Sequence, residues 1–108
     1  MLQINSAGFA EAIKSDSPIF IKIFANWCSP CKLMKEVLEN VASKNKGVAF
    51  LELDVDKATD VTTELNITGI PTMVMFQSGI ETGRLEGYNA ELKVQDFIER
   101  TIHRTLAT

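Results

Sequence analysis

Cys28 and Cys31 are the only two cysteines of the chain, and two residues separate them in the run Trp27-Cys28-Ser29-Pro30-Cys31-Lys32. A disulfide across so short a gap closes a very small loop. Loop-closure entropy grows with loop length, so such a bond stabilises a fold little, and the pair reads as reactive rather than structural. The residues after Cys31 are helical in period, which puts the pair at a helix start. There the first sulfur meets unpaired backbone N–H groups at the positive end of the dipole, and a thiolate is stabilised. Cys28 is then the nucleophile that attacks a disulfide, and Cys31, one turn later, resolves the mixed disulfide. Pro30 sets a φ compatible with the first helical turn and removes a backbone donor beside the sulfurs, which tunes how reducing the pair is. Lys32 either adds a favourable charge or is a solvated helix residue. A closed zinc site would require two further ligands. His103 is the only histidine and no third cysteine exists, so no metal and no external cofactor are expected.

Alternating strands and helices must position this pair. Met1 to Ile4 is a short apolar start, and Ser6 to Ser15 carries Phe9, Ala10, Ala12 and Ile13 at near-helical spacing. Ile19 to Phe24 is almost without polar residues, as suits a central strand covered on both faces. Leu33, Met34, Val37, Leu38, Val41 and Ala42 repeat every three or four residues and predict an amphipathic helix that ends near Asn45 to Gly47. Val48 to Val55 reads as a core strand and Thr59 to Leu65 as a short helix. Thr72 to Phe76, a Ser78-Gly79 turn and Thr82 to Glu86 form a hairpin. Asn89 is placed to cap a last helix with Leu92, Val94, Phe97, Ile98 and Ile102 on its apolar face. The order β-α-β-α-β-α-β-β-α implies an α/β fold with a central mixed five-stranded sheet flanked by four helices.

A chain of 108 residues suits one domain over 1–108. With 45% hydrophobic and 23% charged residues it has the composition of a soluble globular protein. A net charge of -3 argues against nucleic acid as a partner, because no basic field is present to neutralise phosphates. No apolar stretch approaches the roughly 18 residues of a membrane span, and the N-terminus lacks the pattern of a secretory signal. A cytoplasmic location without membrane association is therefore expected.

Phe24 to Lys32 resembles the active-site motif of the thioredoxin family, and Thr68-Gly69-Ile70-Pro71-Thr72 resembles the proline loop that faces it. Leu53-Asp54-Val55-Asp56, Phe76-Gln77-Ser78-Gly79 and Gly87 extend the likeness over essentially the whole chain. The resemblance implies a cis bond before Pro71, which turns backbone polar groups towards the cysteines. It also implies a substrate surface of Trp27, Ser29, Pro30, Gly69, Ile70, Pro71 and Gly87, on which an extended peptide is held by backbone hydrogen bonds. The implied function is a protein-disulfide reductase and dithiol electron carrier. It acts as a monomer on protein disulfides and is recycled by a thioredoxin reductase. The alternative is a binding module that uses the same surface without redox turnover. A glutaredoxin-like use of glutathione is disfavoured by Trp27 and by Ser29-Pro30.

The chain departs from the family pattern at several positions. Lys22 stands where most members carry a buried aspartate, and the position of that aspartate's lysine partner holds Glu52. Lys22 either snorkels to the surface or forms a buried, charge-reversed pair with Glu52. In the paired reading Glu52 serves as base for Cys31 and Lys22 holds it in place. Ser29 replaces a common glycine, Glu36 replaces a helix-kinking proline, and Glu86 stands where an apolar residue usually touches partners.

Overall fold

The protein is described by a computed structural model over residues 1–107, with side chains through Arg104. The elements run β1 (Leu2–Ile4), α1 (Ser6–Ala12), β2 (Ile19–Phe24), α2 (Ser29–Lys44), β3 (Ala49–Asp54), α3 (Thr59–Glu64), β4 (Thr72–Gln77), β5 (Ile80–Glu86) and α4 (Glu91–Ala107). The five strands form one sheet in the order β1-β3-β2-β4-β5. β3 lies parallel to both β1 and β2, whereas β4 is antiparallel to β2 and to β5, so the sheet is mixed as the element order implied.

β2 is the central strand because all six of its residues can be covered, and all six are buried. Its alternate side chains serve two cores. Phe20 packs with Met34, Leu38 and Val41 of α2 and with Val94, Phe97 and Ile98 of α4, on a face shared with Met73 and Met75 of β4. Ile19, Ile21 and Ile23 pack on the other face with Phe9 of α1 and Val61 of α3. Ring contacts reinforce each layer, Phe20 to Phe50 at 4.8 Å and Phe9 to Phe76 at 5.4 Å. No helix among the described residues is long and apolar enough to cross a membrane.

Four local readings require correction. α1 stops at Ala12 rather than Ser15, because the carbonyls of Ile13 and Ser15 accept hydrogen bonds from Gly79 and Ser78 in the β4–β5 turn. β5 begins at Ile80, two residues early, since Ser78 (φ 52°) and Gly79 (φ 82°) complete the turn between them. Asn89 does not cap α4. The Ala90 carbonyl accepts the first helical N–H bonds, from Lys93 and Val94, and the Asn89 amide donates to the carbonyls of Glu86 (3.1 Å) and Gly87 (3.0 Å). Leu33 and Leu92 lie outside the apolar faces assigned to them, on the solvent side of α2 and α4, because the core-facing positions Met34 and Leu38 of α2 and Val94 and Ile98 of α4 are turned about 100° or more from them around each helix.

Candidate active site

The end of β2 turns through residues 25–28 into α2, and this turn carries the cysteines. Cys28 is the N-cap of α2, with extended backbone (φ -88°, ψ 109°), and its Sγ accepts a hydrogen bond from the Cys31 N–H at 3.2 Å. The first sulfur therefore occupies the position at which a helix start offers free donors, where negative charge is favoured. Pro30 is the second residue of the helix, a place where its missing N–H costs nothing. Cys28 and Cys31 are joined in a disulfide with their Cα atoms 5.3 Å apart. Cys28 is 5% exposed and Cys31 only 1%, while the neighbouring Trp27 is 69% exposed. The outer sulfur thus borders an exposed aromatic surface and the inner one faces the core.

The second half of the site comes from the loop that leads into β4, the antiparallel neighbour of β2. The Ile70–Pro71 peptide is cis, and Ile70 packs against the cluster of Phe24, Ala25, Cys28 and Cys31. The Thr72 hydroxyl donates to the Gly69 carbonyl at 2.6 Å and closes the loop on itself. The Gly87 N–H donates to the Pro71 carbonyl at 2.8 Å, and Gly87 takes φ 80°, which a residue with a Cβ adopts only under strain. The fold thus brings Cys28, Cys31, Ile70, Pro71 and Gly87 into one neighbourhood, with Trp27, Ser29, Pro30 and Gly69 exposed beside them.

A polar bracket behind Trp27 was not assigned a role from the residues alone. The Trp27 indole N–H donates to the Asp56 carboxylate at 2.9 Å. Asp54, which is 2% exposed, accepts from the Asp56 N–H at 2.9 Å and from the Asn26 amide at 3.4 Å. Its only sequence signal was the Asp-x-Asp alternation after an apolar strand.

Lys22 and Glu52 lie side by side in register on β2 and β3, on the face that α2 covers. Lys22 is 5% exposed, and Glu52 is half-buried. Yet no ion pair or hydrogen bond joins them among the described residues. Parallel neighbours share a face, but the Lys22 stem runs forward along its own strand, leaving Nζ 5.4 Å from the centroid of the Phe24 ring. Glu52 acts on it only through longer-range attraction. Burial pushes the Lys22 ammonium below its ordinary 10.5, with Glu52 and Glu39 opposing that shift and Lys35 adding to it. Among the described residues no group of three or more His, Cys, Asp or Glu side chains is placed to hold a metal ion.

Comparison with known proteins places this geometry. The thioredoxin family model matches residues 1–100. The thioredoxin of Echinococcus granulosus is 35% identical over 97 residues, 90% of each chain. A bifunctional thioredoxin reductase/thioredoxin of Mycobacterium leprae is 36% identical over 84 residues, 77% of this chain and 18% of that one. The solved structure of Plasmodium falciparum thioredoxin superposes with a TM-score of 0.86 at 28% identity, covering 93% of this chain and 98% of the other. With its helix-capping, disulfide-linked cysteine pair, the chain belongs to the thioredoxin family and is a dithiol redox carrier, a protein-disulfide oxidoreductase.

Proposed function

We propose that Cys28 is the attacking thiol and Cys31 the resolving thiol of a cytoplasmic, monomeric, single-domain protein-disulfide reductase. The observation that carries this division of labour is the Cys28 Sγ at the N-cap of α2, accepting the Cys31 N–H. The Cys28 thiolate attacks one sulfur of a target disulfide, a new S–S bond forms, and the first target sulfur leaves as a thiolate that takes a proton from water. Cys31 then loses its proton and attacks the Cys28 sulfur. The Cys28–Cys31 bond forms, the second target thiolate leaves, and two electrons have passed to the target.

The target peptide lies extended over Trp27, Ser29, Pro30, Gly69, Ile70, Pro71 and Gly87. Supporting this placement, Trp27 is held by Asp56 and Gly87 is tied to Pro71, so the surface is preformed. A thioredoxin reductase returns the pair to the dithiol state, a partnership suggested by the Mycobacterium leprae relative whose name joins the two activities. A thiol-reducing compartment suits such a carrier, which is the support for the cytoplasmic assignment. The disulfide between Cys28 and Cys31 favours redox turnover over a purely binding role.

The test is reduction of insulin disulfides with dithiothreitol as donor. Wild-type protein is expected to accelerate the reaction and Cys28→Ser to abolish the acceleration. An equal rate for the two proteins would overturn the assignment.

A further inference from the structure

Cys31 is 1% exposed, and its own backbone N–H is committed to the Cys28 sulfur. A thiolate formed there is removed from water without the donors that serve Cys28, so it requires another source of positive potential. β2 supplies one. Lys22 is the only charged residue in that strand, and it is 5% exposed. Its ammonium lies over the Phe24 ring, 5.4 Å from the centroid, on the side of the strand end from which the cysteine turn departs. No carboxylate pairs with it among the described residues. Lys22 and Cys31 instead line one cavity of about 240 Å³, a volume that holds several waters.

We propose that the Lys22 ammonium is the counter-charge of the Cys31 thiolate, acting across this cavity during the resolving step. The inference rests on the reading of Cys31 as the resolving thiol. It assigns Lys22 a task of its own rather than that of holding Glu52 as a base. When Cys31 ionises, its proton leaves through the cavity to solvent and Lys22 keeps its charge. The other residues with charged groups that line the cavity are Met1 with its α-amino group, Lys32, Lys35 and Glu39 of α2 and Glu52 of β3, while the residue opposite Lys22 on β4 is the uncharged Met73. Glu52 and Glu39 help Lys22 to stay protonated, and Lys35 opposes them. Burial of the ammonium is unfavourable to the fold, and the thiolate is the partner that offsets it. Lys22 is a positioning residue for charge, acting through Cys31.

The experiment uses a Cys28→Ala background, in which Cys31 is the only thiol, and follows thiolate absorbance at 240 nm against pH. Lys22→Met and Lys22→Gln are compared with the parent, and Lys22→Arg supplies the charge without the amine. Circular dichroism confirms that each variant is folded. The neutral variants are expected to raise the midpoint by at least about one unit, which is a tenfold smaller thiolate fraction at neutral pH. Lys22→Arg is expected to restore most of it. Unchanged midpoints in folded Lys22→Met and Lys22→Gln would overturn the proposal. So would a folded Lys22→Arg that behaves like Lys22→Met, since the amine would then be acting as a proton acceptor. Insulin reduction by the wild-type protein is measured alongside. Its absence would count against the dithiol reading itself, whereas turnover with unshifted midpoints would count against Lys22 alone.

Discussion

Replacing Cys31 by serine leaves the Cys28 sulfur at its helix cap but removes the group that releases the target. A Cys31→Ser variant is therefore expected to accumulate as a mixed disulfide formed by attack on oxidised insulin, visible by mass spectrometry, while Cys28→Ser traps none. Lys22 leads to a prediction of the opposite kind, in which loss of a functional group strengthens the fold. Its ammonium is held below its ordinary 10.5 chiefly by burial, so the unfolded chain binds that proton more tightly than the folded one. The penalty is fully present below the folded value and fades as pH rises towards 10.5. Lys22→Met should accordingly stabilise the oxidised protein at neutral pH. Urea unfolding at neutral and at alkaline pH measures the difference, which should narrow in alkali. A less stable variant at neutral pH would contradict this account.

Among the elements, α1 depends most on a single contact. It has seven residues and buries only Phe9, too little to be stable by propensity, and Asn5 caps it by accepting the Gly8 N–H at 2.8 Å. Asn5→Ala is expected to cost about 1 kcal/mol in chemical denaturation, and Asn5→Asp, which keeps the acceptor, to cost much less. α2 begins on a different kind of cap, a cysteine sulfur, and so the start of a long helix packed on β2 is also the chemistry of the protein. Stability and reactivity of that helix start are linked at one residue. Its sixteen residues are anchored by Met34, Leu38 and Val41, so the redox state of the cap does not have to hold the helix together.

At the scale of the molecule, the approach of α4 to the sheet is set by a residue with no side chain. A Cβ on Gly83 of β5 would lie 2.8 Å from the Thr101 hydroxyl and 3.1 Å from the Phe97 ring. Thr101 is 1% exposed and Phe97 5%, so neither has free space to retreat into. Gly83→Ala is expected to destabilise the protein by about 1–3 kcal/mol and lower its melting temperature. Insulin turnover below that temperature should be retained, since the cysteine turn and the Pro71 loop do not contact Gly83. An unchanged melting temperature would show that α4 can shift outward without loss.

The amino-acid sequence by itself determined the redox pair, the strand that carries it and the order of the elements, because these rest on near neighbours. The Cys28–Cys31 spacing, the unbroken apolar run from Ile19 to Phe24 and the helical period after Cys31 can each be read within a few residues. The Thr68 to Thr72 loop was legible only through family likeness, since nothing local says that it faces a cysteine. Tertiary structure alone decided the end of α1, where the β4–β5 turn takes the last carbonyls, and the task of Asn89, whose amide finds two loop carbonyls. It alone seated Trp27 on Asp56, across an interval in the chain that no periodicity spans. It also decided how Lys22 meets its surroundings. Register puts Lys22 and Glu52 on one face, but the direction of a long side chain is set by packing. Here the ammonium lies over the Phe24 ring of its own strand and forms no ion pair with the carboxylate beside it.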